Sequence, residues 1–321
     1  LLKRNFAEET DKKGRFMKTI LITGSNGLLG QKLVRRFRDC NNYNIVATSF
    51  SPDRMEEEGY IFELMDITNP VEVDYVLSKH RPSVIIHTAA ITQADTCETH
   101  KKECWDTNVQ AVETLLKGAA KSQAHFIHLS SDFVFDGKAG PYSESDPAGP
   151  VNYYGISKLE SEKAVMRYRG KWTVVRTSLV FGINSSLARP NFVLWLRYAL
   201  MEGQKVKVNN DQFRTPTLAE DLAEGLIALT EREKTGIFHM AGGEFMSILE
   251  LAEKVAKYFR LDQSLIEAVS TKELHETGVR PMKAGLRIEK AFHEIGYRPH
   301  TFMEALEILD QQIQQQDMNE F

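Results

Sequence analysis

The sequence predicts an α/β protein, a doubly wound parallel sheet with a smaller, mostly helical lobe attached. Three observations carry this. From Lys18 the chain repeats one phrase: a short apolar run rich in Ile and Val, a turn, then a stretch with an apolar stripe at helical spacing. That is the pattern of successive βαβ units. A glycine-rich turn, with Gly24, Gly27 and Gly30, closes the first apolar run and opens the first helical stretch. The regularity then fails between Gly182 and Arg214 and again after Ala241, where strands shorten and helices dominate.

In chain order, strands are expected at residues 19–23, 44–49, 60–64, 83–88, 125–130, 172–177 and 236–240. Most are continuous apolar runs, as parallel strands covered on both faces require. Helices are expected at 28–39, 71–79, 104–121, 154–169 and 218–231, returning the chain by right-handed crossovers. Residues 17–181 and 215–240 are thus assigned to the sheet domain, and 182–214 with 241–316 to a lobe that holds substrate. Residues 1–16 are charged and precede the apolar alternation; they are expected as a tail that takes no part in the fold.

Composition narrows the function classes. A chain of 321 residues with 42% apolar residues is long enough for one large domain and a smaller lobe. Forty Lys and Arg against forty-four Asp and Glu give a net charge of -4. This offers no broad basic field for nucleic acid or an anionic membrane, so any anion must be held locally. No window approaches the roughly 20 apolar residues of a membrane span. Cys40, Cys97 and Cys104 form no CxxC pair, and the odd count argues for reduced thiols in a cytoplasmic protein. The nine histidines, including His87, His125 and His128, show no metal-binding spacing and are read as core or supporting residues. No metal is expected. A homodimer is compatible with the sequence and not required by it.

Thr23-Gly24-Ser25-Asn26-Gly27-Leu28-Leu29-Gly30 stands where a strand ends and a helix begins, the context that makes a glycine pattern a dinucleotide hypothesis. Gly24 allows the tight turn, Gly27 lets the backbone approach a pyrophosphate, and Gly30 lets the helix pack on the sheet. Asn26, Leu28 and Leu29 share that turn, and the helix N-terminus faces the anion with unpaired N–H groups. The competing reading is a plain loop with incidental glycines. The second strand ends at Thr48-Ser49-Phe50 without the carboxylate that grips the ribose hydroxyl of NADH, and Arg54 lies nearby. Either Arg54 meets the 2′-phosphate of NADPH or it is a solvated loop cation; NADPH is slightly preferred over NADH. After the fourth strand, Thr88, Ala89 and Ala90 are small enough for a cofactor to lie against the backbone.

Tyr154 and Lys158 are four apart on a helix and so share a face. A proton donor working near neutrality does best well below the ordinary tyrosine value near 10, and a neighbouring lysine cation would move it that way. The strand before this helix ends at Ser130-Ser131-Asp132-Phe133, in the crevice where doubly wound sheets bind ligands. Ser131 is assigned to hold a substrate carbonyl oxygen beside Tyr154. Ser130 is the alternative, because consecutive strand residues face opposite ways.

With these motifs in place the chain resembles the dTDP-4-dehydrorhamnose reductase family of extended short-chain dehydrogenases/reductases. The likeness runs from Met17 to about Asp310. It rests on the glycine turn, whose GxxGxxG spacing fits that group, the run Ser130–Gly137, Pro150–Lys158, Val175-Arg176-Thr177-Ser178, Asn191-Phe192-Val193, Asp211–Thr217 and Arg280-Pro281. The resemblance implies a Rossmann domain and reduction of the C4 ketone of a nucleotide-linked deoxysugar, with hydride from NADPH or NADH. Tyr154 would give the proton, Ser131 would stabilise the developing charge, and Lys158 would also hold the nicotinamide ribose. It further implies Asp66 and Ile67 near the adenine, Asp66 otherwise capping the helix near Asn69. Asn108 would lie near the active site, and Asp132, Phe133 and Asn191 would face substrate. Arg214 and Arg280 are candidates for its diphosphate, or else surface ion-pair partners.

Related chemistries remain. Dehydratases of this superfamily carry a carboxylate where this chain has Phe133, which disfavours dehydration, whereas epimerases keep the same Ser, Tyr and Lys. A non-catalytic regulatory protein, like the reductase-like subunit of methionine adenosyltransferase, is the alternative from another class. Leu179 stands where the family's reductases often carry Trp, which leaves the sugar open.

Overall fold

Apolar β-branched runs and glycine-marked turns produce the expected layers. In chain order the first half contains β1 (Lys18–Thr23), α1 (Leu28–Cys40), β2 (Tyr43–Ser49), β3 (Ile61–Leu64), α2 (Pro70–His80), β4 (Val84–His87), α3 (Ala94–Thr99), α4 (Lys101–Trp105), α5 (Ala111–Ser122), β5 (His125–Ser131), α6 (Tyr153–Met166) and β6 (Trp172–Thr177). The second half contains β7 (Val180–Phe181), α7 (Phe192–Met201), β8 (Val206–Asn209), β9 (Phe213–Arg214), β10 (Thr217–Leu218), α8 (Ala219–Glu231), β11 (Gly236–His239), β12 (Met246–Ser247), α9 (Ile248–Tyr258), β13 (Ile266–Val269), α10 (Glu289–Ile295) and α11 (Phe302–Asn319). The structure, a computed structural model, describes residues 17–55, 57–184 and 190–319. The tail expected at 1–16, and 185–189 of the expected lobe, lie outside the described residues.

Seven strands form one parallel sheet in the order β11-β6-β5-β4-β1-β2-β3. Each lies within a residue of its expected ends. From β1 the chain runs outward through β2 and β3, then crosses to β4 on the other side. This reversal opens the crevice in which doubly wound sheets bind ligands. Register aligns Thr23 of β1 with His87 of β4, and His87 with His128 of β5. Apolar clusters cover both faces of the sheet.

A second core joins Phe181, Val193, Leu196, Val206 and Leu218 to Leu251, Val255, Leu306 and Leu309. It gathers the two irregular stretches beside the sheet domain. The expected boundary does not hold throughout. Ala291, Ile295 and Tyr297, within the stretch assigned to the lobe, are buried in the core of the sheet domain, and Leu286 packs with Val134, Phe135 and Tyr142. The chain returns because α10 covers apolar surface left open beside α8 and β11.

The helix expected at 104–121 is also interrupted. A π-helical turn over Asp106–Gln110 separates α4 from α5. Such turns carry an extra residue and tend to occur at functional sites. Here the turn carries Asn108, whose amide is buried and bonded to a neighbouring loop.

Candidate active site

The C-terminal strand ends and the second core enclose a cleft of about 1990 Å³ that runs from the glycine turn to Tyr154 and on to Trp195 and Arg280. Small-ligand pockets commonly reach about 1,000 Å³, so this cleft has room for two ligands end to end.

Its first half is the glycine turn. Gly24 has φ +68°, and a Cβ there would stand 2.8 Å from Ala89 N. A Cβ on Gly30 would come within 2.3 Å of Gly24 O. These two glycines are needed by the fold itself. At Gly27 a Cβ would meet Gly24 O at 3.2 Å, a milder conflict, and the position lines the cleft. Helix α1 starts there with no side-chain cap and no acidic residue in its first turn. Its N–H groups are therefore available to an anion. A dinucleotide pyrophosphate fits this cradle.

Asn26 lines the cleft and acts chiefly as a clamp. Its Nδ2 donates to Pro52 O at 2.8 Å and to Ser51 Oγ at 3.0 Å, and its Oδ1 accepts from Arg54 N–H at 3.1 Å. That holds Ser49, Ser51 and Arg54 along the cleft wall. Asp53, the first carboxylate of this loop, accepts instead from the Tyr60 hydroxyl at 2.6 Å and from Met55 N–H. Asp66 and Ile67 line the far end. Asp66 Oδ1 accepts from Thr68 N–H and hydroxyl, while the cap of α2 is Asn69, which accepts from Val71 N–H. Thr88, Ala89 and Ala90 form the floor.

Asn108 is joined to the helix that carries Tyr154. It is 1% exposed, stands behind the cleft, and exchanges two 2.9 Å hydrogen bonds with the backbone of Ile91. Its Nδ2 also donates to Ser157 Oγ at 3.0 Å. Asn108 thereby fixes the loop after β4 to the helix that carries the tyrosine.

Helix α6 begins where Asn152 Oδ1 accepts from Gly155 N–H at 2.8 Å. A Cβ on Gly155 would lie 2.2 Å from Phe133 O, so only glycine lets the helix pack this closely on the end of β5. Its buried face carries Tyr154, Ser157, Lys158, Ser161 and Glu162. The Tyr154 ring meets Phe133 edge-on, centroids 5.5 Å apart, and packs with Ala94, Cys97 and Cys104.

The register separates the two serines. Ser131 lines the cleft with Tyr154, donates to Asp132 Oδ1 at 2.9 Å and accepts from Phe133 N–H. Ser130 faces the other way and donates to Glu162. That carboxylate is fully buried and is also held by Arg176, Nη2 to Oε2 at 2.7 Å.

Burial controls the titration here. It pushes the Tyr154 phenol above its ordinary value, with the Ser131 hydroxyl pulling the other way. This differs from the expected lowering, and the physical reason is desolvation of the phenolate. The consequence is a phenol that stays protonated, the form a proton donor needs. Burial also lowers Lys158 to about 8, opposed by the Glu162 carboxylate one turn along the helix.

The part of the cleft beyond Tyr154 holds two arginines, each matched to a carboxylate. Arg214 lines it, but its Nη1 donates to Phe213 O at 2.7 Å and its Nε lies 3.5 Å from Asp132 Oδ2. Arg280 makes a two-pronged bond to Asp95, Nη1 to Oδ1 at 2.7 Å and Nη2 to Oδ2 at 2.6 Å. Both arginines line the cleft and both pair with a carboxylate. The amide of Asn191 is similarly engaged. It caps α7 through Leu194 N–H at 3.2 Å and donates to Gly182 O at 2.6 Å. Leu179 faces the cleft with φ 40°, a left-handed backbone that is costly for a non-glycine residue and clusters at functional sites.

Sequence reasoning did not single out Glu162, although its place eight residues after Tyr154 and four after Lys158 puts it on the same helical face. It also left His128 as a core residue; His128 Nε2 lies 3.3 Å from Lys158 Nζ.

Comparison with known proteins agrees with this architecture. A family model described as the RmlD substrate binding domain matches residues 17–315. The chain is 30% identical over 302 residues to a dTDP-4-dehydrorhamnose reductase of Aggregatibacter actinomycetemcomitans, covering 90% of this chain and 97% of that one. It is also 30% identical over 286 residues to methionine adenosyltransferase 2 subunit beta of Xenopus tropicalis, covering 88% and 83%. A Bacillus anthracis dTDP-4-dehydrorhamnose reductase solved in complex with NADP superposes with a TM-score of 0.82 at 27% identity, covering 92% of this chain and 99% of that one.

Proposed function

Because the chain belongs to the RmlD substrate-binding-domain family of extended short-chain dehydrogenases/reductases, which are NAD(P)H-dependent oxidoreductases, we propose that it reduces the C4 ketone of a nucleotide-linked deoxysugar, dTDP-4-dehydrorhamnose being the first candidate. The observation that carries this reading is the buried Tyr154, lining with Ser131 and Lys158 a cleft that begins in the Gly27 cradle. When bound, the reduced nicotinamide supplies the hydride. Gly24, Gly27, Leu28, Leu29, Gly30, Thr88, Ala89 and Ala90 would hold the cofactor, with Asp66 and Ile67 near its adenine. Lys158 would hold the ribose beside Tyr154.

Tyr154 then delivers its proton to the ketone oxygen. Its pKa is held up by burial, and charge stabilisation by the Lys158 ammonium offsets the cost of forming the phenolate. Ser131 has one hydroxyl proton, now directed at Asp132. Rotation of that hydroxyl toward the ketone oxygen stabilises the developing negative charge there, and Asp132 keeps its bond from Ser178 Oγ at 2.8 Å. Phe133 and Leu179 would form the wall for the sugar ring.

NADPH is the preferred cofactor. Asp53 is turned to Tyr60, which leaves Ser49, Ser51 and Arg54 on the wall where a 2′-phosphate would lie. Arg54→Ala should raise the Kd for NADPH far more than that for NADH; an equal effect on both removes Arg54 from this role.

The test of the reaction is the loss of reduced-nicotinamide absorbance on adding dTDP-4-dehydrorhamnose. Tyr154→Phe should lower kcat by about 10²- to 10⁴-fold. No consumption with either cofactor, and identical behaviour of Tyr154→Phe, would reject the reductase reading. That result favours a regulatory role, the reading supported by the likeness to methionine adenosyltransferase 2 subunit beta.

A further inference from the structure

Among the described residues four buried histidines, His87, His125, His128 and His239, lie along the sheet, and one of them touches Lys158. His128 on β5 is 0% exposed. Its Nε2 lies 3.3 Å from Lys158 Nζ and 2.9 Å from Ser161 Oγ, while its Nδ1 has no hydrogen-bond partner. His87, level with it on β4, stacks on the ring with centroids 5.4 Å apart and bonds through Nδ1 to Thr23 Oγ1 at 2.7 Å.

We infer that His128 is a positioning residue for Lys158: its neutral ring, protonated on Nδ1, presents the Nε2 lone pair to the ammonium and fixes where that charge stands relative to Tyr154. The inference rests on the reductase reading for its role in turnover, but its chemistry follows from donors and acceptors alone. An ammonium can only donate. A hydrogen bond from Nζ therefore needs Nε2 without its proton, and the single proton of the neutral ring must sit on Nδ1.

That arrangement leaves a buried N–H without a partner, which is unfavourable. The opposite tautomer would be satisfied locally, because Ser161 donates its proton to Lys158 O at 2.7 Å and its oxygen could accept from Nε2–H. What favours the Nδ1–H form is the charge on Lys158. The tautomer of His128 thus follows the protonation of the lysine.

The groups facing Lys158 are His128 from β5, His87 from β4, Tyr154 and Glu162 from its own helix, and Cys97 and Cys104 from α3 and α4. Glu162 is engaged by Arg176 and Ser130, so among the described residues His128 Nε2 is the side-chain acceptor that Nζ reaches. Burial holds both histidines far below their ordinary value, His87 at about 3, which keeps the rings neutral.

The test uses ¹⁵N-histidine-labelled full-length protein, with the His128 signals assigned by their loss in His128→Gln. The ring shifts should show Nδ1–H near neutral pH and a change toward Nε2–H as Lys158 deprotonates around pH 8. An Nε2–H tautomer near neutral pH would overturn the inference whether or not the protein turns over substrate. In turnover, His128→Leu should move the basic limb of kcat down by about 1 pH unit. His128→Gln, whose amide oxygen can replace Nε2 as acceptor, should restore it. Equal displacement in both variants, or none in His128→Leu, counts against a positioning role. If His128→Leu does not fold, the tautomer measurement decides the question, and absence of turnover by the wild type would strike the reductase reading alone.

Discussion

Asp132 and Arg214 form a buried ion pair between the end of β5 and β9, with Arg214 Nε 3.5 Å from Asp132 Oδ2 and side-chain exposures of 3% and 4%. Burial raises the pKa of Asp132 and lowers that of Arg214 despite their attraction. Desolvation is thus the larger effect on both, and the pair is weak evidence of net stabilisation. Removing one partner strands the other. Asp132→Asn or Arg214→Met should each cost about 3–5 kcal/mol by urea denaturation, and the double variant should cost much less than the sum. Additive losses would show that the two are not coupled.

The glycine turn separates a folding role from a binding role. Gly30→Ala places its Cβ 2.3 Å from Gly24 O, so the helix must shift and the melting temperature should drop clearly. Gly27→Ala meets Gly24 O at 3.2 Å, a tight contact relieved by a shift of a few tenths of an ångström, so it should melt much closer to the wild type than Gly30→Ala. It should nevertheless weaken NADPH binding by about tenfold or more, equivalent to about 1.4 kcal/mol, because the added methyl occupies the pyrophosphate's approach. Titration calorimetry and thermal melts on both variants distinguish these effects.

The sheet was legible because its strands hold apolar runs that only a two-sided layer can bury, as 20–22 and 84–86 illustrate. The return of Ala291 and Ile295 to the main core was not, since a seven-residue helix has the same apolar pattern whichever core receives it. Within the site, motif spacing brought Tyr154, Lys158 and the glycines together. It could not say that Arg214 and Arg280 meet carboxylates, because Asp132 and Asp95 lie 82 and 185 positions away along the chain. Nor could it place Asn108 behind the cleft, for the π-helical turn that carries it has no sequence signature comparable to a glycine turn.

The activity of the free enzyme should decline on the basic side because of Lys158, not Tyr154. The useful form of Lys158 is the ammonium, and burial brings its pKa to about 8. As pH rises through that value the charge is lost and kcat/KM should fall, approaching tenfold per pH unit. Tyr154 is raised above its ordinary value and so keeps its proton through the same range. A pH profile flat beyond pH 9 would be inconsistent with this assignment.

Arg280 ties the segment after β13 to α3, and its effect should be visible in acid. The guanidinium beside Asp95 holds that carboxyl at about 2, against an unfolded value near 3.9. A carboxyl whose folded pKa is depressed contributes stability that is complete above the unfolded value and is lost as pH falls through the folded one. The gap in urea midpoint between wild type and Asp95→Asn should therefore be full at about pH 6 and narrowed by roughly half at about pH 3. Asp95 is 48% exposed along its side chain, so solvent and salt screen the pair and the gap itself will be modest. Adding about 1 M sodium chloride, where the screening length falls to about 3 Å, should reduce it further at pH 6. No gap at either pH would mean that Asp95 acts through its backbone bond to Gly278 N–H, 2.8 Å, which asparagine retains, and not through Arg280.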